Sequence, residues 1–193
     1  MRRWAAAVLL AMAAFAVAAE AAPQSPPPPP AALVMTPGPF TLTAVDGRTV
    51  DGLDLDGAAY GVFFGFTHCP DICPSTLADV TLALRGLGEK AAGFRVYFVA
   101  LDAERDTPQA VGVFLSSFDP RIVGLTGTPR QLAEAAAAFG AVARKRTFAD
   151  GGYTIEHTAA LFLVDANGVV ADRAPFSDPP ERLAKRIAAV AAR

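Results

Sequence analysis

From residue 40 onward the chain alternates between two rhythms, one of strands and one of helices. FTLTAVDGRTV runs up to and away from Asp46-Gly47, a pair that favours a hairpin turn. AAYGVFFGF is a dense apolar run between turn residues and predicts a strand buried on both faces. From Ser75 the rhythm becomes helical, with Leu77, Val80, Leu84 and Leu87 spaced 3, 4 and 3 apart. FRVYFVALD predicts a second buried strand. DTPQAVGVFLSSF predicts a helix with Thr107 as N-cap and Pro108 at its first position. RIVGLT reads as a short strand, and PRQLAEAAAAFG as an alanine-rich helix ending at Gly140. TAALFLVDANGVVADRAPF predicts a hairpin about Asn167-Gly168, and PPERLAKRIAAVAAR sets Leu183, Ile187 and Val190 on one helical face.

Strands alternating with helices predict an α/β sheet with parallel pairs, and the last hairpin adds an antiparallel edge. A βα unit with closely spaced cysteines just after its strand points to a thioredoxin-like fold. That domain is expected over residues 40–193. Ahead of it, MRRWAAAVLLAMAAFAVAAEAAP has a basic start, an apolar run and small-residue cleavage sites. Residues 1–22 are therefore expected to be a signal peptide or a signal anchor. Residues 23–39 include five consecutive prolines and read as a stiff, extended linker. The linker favours an anchor, because a spacer has a purpose if the domain must stand off a membrane. A formal net charge of −2 argues against nucleic acid as a partner, and Arg144-Lys145-Arg146 reads as a solvated edge.

The chain has two cysteines, both in FGFTHCPDICPSTL, and two histidines. Pro70 and Pro74 push Cys69 and Cys73 away from helical geometry, which places Cys73 at a helix N-cap or just before it. A helix N-terminus favours anions, so thiolates should form readily there. Three roles are open. A structural disulfide across so short a loop would add little stability. A dithiol redox switch is chemically easy, although three residues separate the cysteines where redox motifs have two. A soft-metal site needs a further ligand. In a thioredoxin-like fold the loop entering the strand at 160–164 packs against the cysteine loop. That loop carries His157, with no proline near Ala159. This favours His157 as a ligand over an ordinary hydrogen-bonded loop histidine. His68 is expected to cap the loop or supply positive charge. Two sulfurs and one nitrogen suit copper(I), whereas zinc would want a fourth donor, with Asp71 and Glu156 nearby.

FGFTHCPDICPSTLADV, VALDAERDTP, FDPRIVGLTGTP and EHTAALFLVDANG resemble, in order and spacing, the Sco/SenC copper-binding proteins, over roughly residues 40–193. The resemblance implies a thioredoxin-like fold with a hairpin inserted before the final histidine. It implies copper, as Cu(I) or Cu(II), held by Cys69, Cys73 and His157. It also implies assembly of the binuclear copper centre of cytochrome c oxidase subunit II, with a second periplasmic copper chaperone or a thiol reductase as a further partner. The family has been read both as a copper carrier and as a thiol–disulfide reductase, and in the second role Cys69 attacks and Cys73 resolves. The implied location is the periplasm, free or anchored to the inner membrane. A monomer is expected from the lack of a long exposed apolar patch. Two departures stand out: Glu156 where the family has aspartate, and Ala103 where it commonly has proline. Asp102, Arg105 and Asp106 are expected to cap a loop.

Overall fold

The computed structural model describes residues 35–55 and 57–193. The signal or anchor expected over residues 1–22, and the linker as far as residue 34, lie outside the described residues. Met35 pairs with Val170 as an antiparallel bridge, and the Gly38 amide donates to the Ala138 carbonyl. Residues of the expected linker therefore already pack on the domain.

The predicted hairpin is present as β1 (Thr41–Ala44) and β2 (Thr49–Asp51), with Gly47 at φ 88° in the turn. A short 3-10 turn follows at Gly52–Leu55. The apolar runs form β3 (Tyr60–Gly65) and β4 (Arg95–Ala100), and β5 (Ile122–Thr126) completes a parallel trio. Between them lie α1 (Ile72–Leu87) and α2 (Pro108–Leu115). Next come α3 (Pro129–Ala138), an exposed hairpin of β6 (Ala143–Thr147) and β7 (Tyr153–His157), then β8 (Ala160–Val164), β9 (Val170–Pro175) and α4 (Pro180–Ala191).

The main sheet has seven strands in the order β2-β1-β5-β4-β3-β8-β9, while β6 and β7 form a sheet of their own. Crossovers β3–α1–β4 and β4–α2–β5 step the same way across the sheet, and a common crossover hand puts both helices on one face. There Leu77, Val80 and Leu84 of α1, Val111 of α2, and Leu183, Ile187 and Val190 of α4 pack on Phe63, Phe98 and Leu161. The other face buries Phe64, Phe162 and Val164 under α3 and Phe139. This is the expected thioredoxin-like α/β architecture, with the extra hairpin ahead of β8.

The start of α1 differs from the sequence expectation. It begins at Ile72 rather than near Ser75, so Cys73 lies in the first helical turn. The first-turn amides have no partner within a helix, so Pro74 costs no hydrogen bond there. The α3 N-terminus carries a reciprocal capping box between Thr128 and Gln131. Its other end closes on Gly140 at φ 59°, a left-handed position that suits glycine.

Candidate metal centre

The centre lies where the C-terminal end of β3 passes into α1. After Gly65 the chain turns through Phe66, Thr67 and His68. The Cys69 amide donates to the Phe66 carbonyl at 3.2 Å, and the Cys73 amide donates to Cys69 Sγ at 3.4 Å. Gly65 is required by proximity. A Cβ there would stand 2.9 Å from Cys73 Sγ and 2.7 Å from the Phe98 ring.

His157 ends β7 and faces this loop. Its Nε2 lies 3.6 Å from Cys73 Sγ, while Nδ1 lies 3.3 Å from the Thr158 carbonyl. A proton on Nδ1 donated to that carbonyl leaves the Nε2 lone pair toward the sulfur. Phe63 and Phe66 present their rings edge-on to the imidazole, at centroid distances of 6.3 and 5.9 Å. Burial among these groups lowers the His157 pKa below its ordinary value and keeps the ring in the neutral, ligating form.

One sulfur from each cysteine and one His157 nitrogen lie within 4.8 Å of one another. Bonds of about 2.0–2.3 Å put the donors of one trigonal ion nearly 4 Å apart, so the group needs to close by only about 1 Å around an ion. Asp71 and Glu156, the candidates for a fourth donor, are engaged elsewhere. Asp71 accepts from Ser75 Oγ at 3.2 Å, and Glu156 pairs with Arg146 at 3.2 Å. Glu156 therefore does not orient the imidazole; the Thr158 carbonyl does. Phe66, Ile72, Ile155 and Ala159 help line an open cleft of about 440 Å³ in front of the donors. That is many times the roughly 30 Å³ share of a water molecule, so an incoming side chain has room to reach them.

The expectation of easily formed thiolates fails at Cys73. Its sulfur is fully buried, and burial pushes the thiol pKa well above its ordinary value; neighbouring Cys69 and Asp106 add to the rise. A backbone hydrogen bond from Phe66 lowers the thiol pKa but does not offset the lost solvation. His68 is exposed. Its Nδ1 lies 3.1 Å from Thr67 Oγ1 and 4.0 Å from Asp106, outside the donor group, which fits a capping role.

The sequence reading made Asp106 a loop cap, and it does more than that. Its buried carboxylate accepts from the Thr67 amide at 3.2 and 3.3 Å and from Thr67 Oγ1 at 2.6 Å. It thereby ties the cysteine loop to the loop after β4. The clue was positional, since adjacent parallel strands deliver their following loops to the same sheet end.

The SCO1/SenC family profile matches residues 30–192. The chain belongs to the SCO1/SenC family. It is 35% identical over 128 residues to the mitochondrial protein SCO1 homolog 1 of Arabidopsis thaliana, covering 66% of this chain and 38% of that one. It is 34% identical over 128 residues to SenC of Rhodobacter capsulatus, covering 66% and 58%. The chain thus spans less than two thirds of the length of these relatives. Among solved structures, Bradyrhizobium japonicum ScoI with copper bound is similar at a TM-score of 0.73. That likeness is 37% in sequence and covers 80% of this chain and 98% of ScoI. No helix among the described residues is long and apolar enough to cross a membrane.

Proposed function

We propose that this SCO1/SenC protein is a periplasm-facing copper metallochaperone serving cytochrome c oxidase assembly. In this reading Cys69, Cys73 and His157 carry the ion to the binuclear copper site of subunit II. The observation that carries it is the convergence of two sulfurs and one imidazole nitrogen within 4.8 Å, from segments 84 residues apart. A set of two thiolates and one imidazole is soft and suits copper(I). The similar ScoI structure holds copper. The Sco family is described as one of cytochrome c oxidase assembly proteins, with BsSco as a member.

Loading would release the thiol protons to solvent, and because burial disfavours a free thiolate at Cys73, its sulfur would lose the proton as it takes up the ion. Half-exposed Cys69 faces the cleft and is the first ligand that a recipient's cysteine or histidine can replace. Buried Cys73 is the last. The protein works as a monomer at the membrane surface, with residues 1–22 as its signal or anchor. The test is an anaerobic copper(I) titration of the fully reduced protein against a chromophoric chelator. One tight equivalent is expected. His157→Ala should weaken binding by more than about 100-fold, beyond the effect of losing an outer partner. Unchanged affinity in that variant would remove His157 from the ligand set.

A second reading, a thiol–disulfide reductase for the recipient's copper-site cysteines, draws support from the Cys73 amide pointing at half-exposed Cys69 Sγ. The Cys69 thiolate would attack a recipient disulfide, forming a mixed disulfide and releasing one recipient thiolate. Cys73 would then close the Cys69–Cys73 disulfide and release the second. A periplasmic thiol reductase would restore the dithiol. If Cys73→Ser traps no mixed disulfide with the oxidised recipient, this reading fails.

A further inference from the structure

The hairpin that carries His157 has little apolar packing of its own. Every residue of β6 is exposed, and Ile155 alone is buried in β7. A two-stranded hairpin is marginal in water without further support. The hairpin nevertheless delivers a ligand to within 3.6 Å of Cys73, so its few core contacts, centred on Ile155, need further support.

That support is the loop after β4. Tyr153, the first residue of β7, donates its hydroxyl hydrogen to Asp102 at 3.0 Å. Its ring is flanked by the Arg105 guanidinium and the Lys145 ammonium, each 3.9 Å from the ring centre. Asp102 is 2% exposed and is itself held by Arg105 Nε and the Glu104 amide. Lys145 of β6 also pairs with Glu104 at 2.6 and 2.8 Å. Both strands of the hairpin are thus tied to residues 102–105. Four positions along, Asp106 holds Thr67 of the cysteine loop. A single short loop therefore contacts both segments that carry the donors.

We propose that residues 102–106 form a brace that sets the spacing between His157 and the cysteines, and that Tyr153 is the positioning residue through which it acts on His157. Side chains alternate along a strand, so Tyr153, Ile155 and His157 share the inward face of β7. Ile155 sits midway as the one buried anchor, with Tyr153 and His157 about 13 Å apart at either end. The hairpin is a lever about Ile155, and releasing Tyr153 frees it to rock, so that His157 no longer keeps a fixed distance from Cys73. Burial and the Asp102 contact push the Tyr153 hydroxyl up to about 12, so it remains a donor across the working pH range.

The lever rests on His157 being a copper ligand, and the experiment separates the two claims. In the metal-free full chain, amide hydrogen exchange across residues 153–157 is compared among wild type, Tyr153→Phe and Tyr153→Ala. Copper(I) affinity is then measured for each variant in the wild-type and His157→Ala backgrounds. Tyr153→Phe keeps the ring and removes only the hydrogen bond, so it remains informative should Tyr153→Ala not fold. We expect β7 exchange to quicken by roughly tenfold in Tyr153→Phe. Copper(I) affinity should fall by about the same factor where His157 is present, and by less than twofold where it is absent. Equal losses in both backgrounds would mean that Tyr153 supports the fold generally, and would overturn the proposal. So would unchanged exchange in both variants. If His157→Ala alone leaves affinity unchanged, the ligand reading falls, and the exchange data still decide whether the brace exists.

Discussion

Gly65→Ala is the most demanding test of how the centre is packed, because it adds one methyl group and replaces no ligand. Gly65 is not among the glycines with positive φ, so alanine is acceptable to the backbone and only the space matters. The new Cβ would stand 2.9 Å from Cys73 Sγ and 2.7 Å from Phe98 Cε2, both well inside ordinary contact. Neither neighbour has slack. Both are 0% exposed, and the Phe98 ring lies between Phe63 and Phe114 at centroid distances of 6.3 and 5.6 Å. Alanine in a strand gains about 0.5–1 kcal/mol over glycine, whereas overpacking a core costs about 1–3 kcal/mol, so the strain should win. A net loss near 1–2 kcal/mol lowers Tm by about 2–8 °C in a domain of this size. Copper(I) affinity should fall as well, because Cys73 Sγ must move by about half an ångström to clear the methyl group. Gly124→Ala is the control. Its Cβ would meet Val111, Val45 and Leu115 at 2.6–2.9 Å, with no donor among them. It should lose stability while keeping copper affinity per folded molecule. The assay pairs metal-free thermal melts with chelator competition. A Gly65→Ala protein with wild-type affinity and a lowered Tm would show that Cys73 does not yield, and a wild-type Tm would refute the packing argument itself.

Two further outcomes are expected. Burial lowers the His157 pKa and raises that of Cys73, so the unfolded chain binds a proton more readily at His157 and releases one more readily at Cys73. The reduced metal-free protein should lose stability as pH falls below 6.5 and again as it rises above 9.0, the ordinary values of the two groups. Denaturation across pH checks this: His157→Ala should flatten the acid slope and Cys73→Ala the alkaline one. Separately, Arg121 holds buried Asp119 through Nε at 2.8 Å and Nη2 at 2.9 Å, and these bonds lower the Asp119 pKa. Asp119→Ala should cost about 2 kcal/mol in urea unfolding at neutral pH with copper affinity intact. The deficit should shrink as pH falls through 3.8 and below, where wild-type Asp119 itself becomes protonated.

Much of the molecule was legible in local pattern. The runs around Val62 and Phe98 could only be buried strands, and the spacing of Leu77, Val80 and Leu84 only a helix face. Thr107 and Pro108 announced a helix start, and the structure places the Thr107 hydroxyl 3.1 Å from the Ala110 amide it accepts from. The donor types were legible too, because a chain with two cysteines and two histidines offers few ways to build a soft site. The β6–β7 hairpin came only from the family resemblance, since β6 is exposed throughout and β7 buries Ile155 alone.

What the sequence determined by itself is what depends on neighbours within a turn or a strand: element type, caps and turns, and which side chains can ligate. Where those side chains meet is a property of the packed structure. It put β1 beside β5, folded Cys73 into the first turn of α1 and under the core, and turned Glu156 toward Arg146 and away from the imidazole. It also joined Asp102 to Tyr153 across 51 residues and Asp106 to Thr67 across 39. The reason is physical. Periodicity reports the surface an element must hide, but burial and charge pairing depend on what arrives to cover it. At Cys73 the covering atoms reversed the effect expected from its place at a helix end.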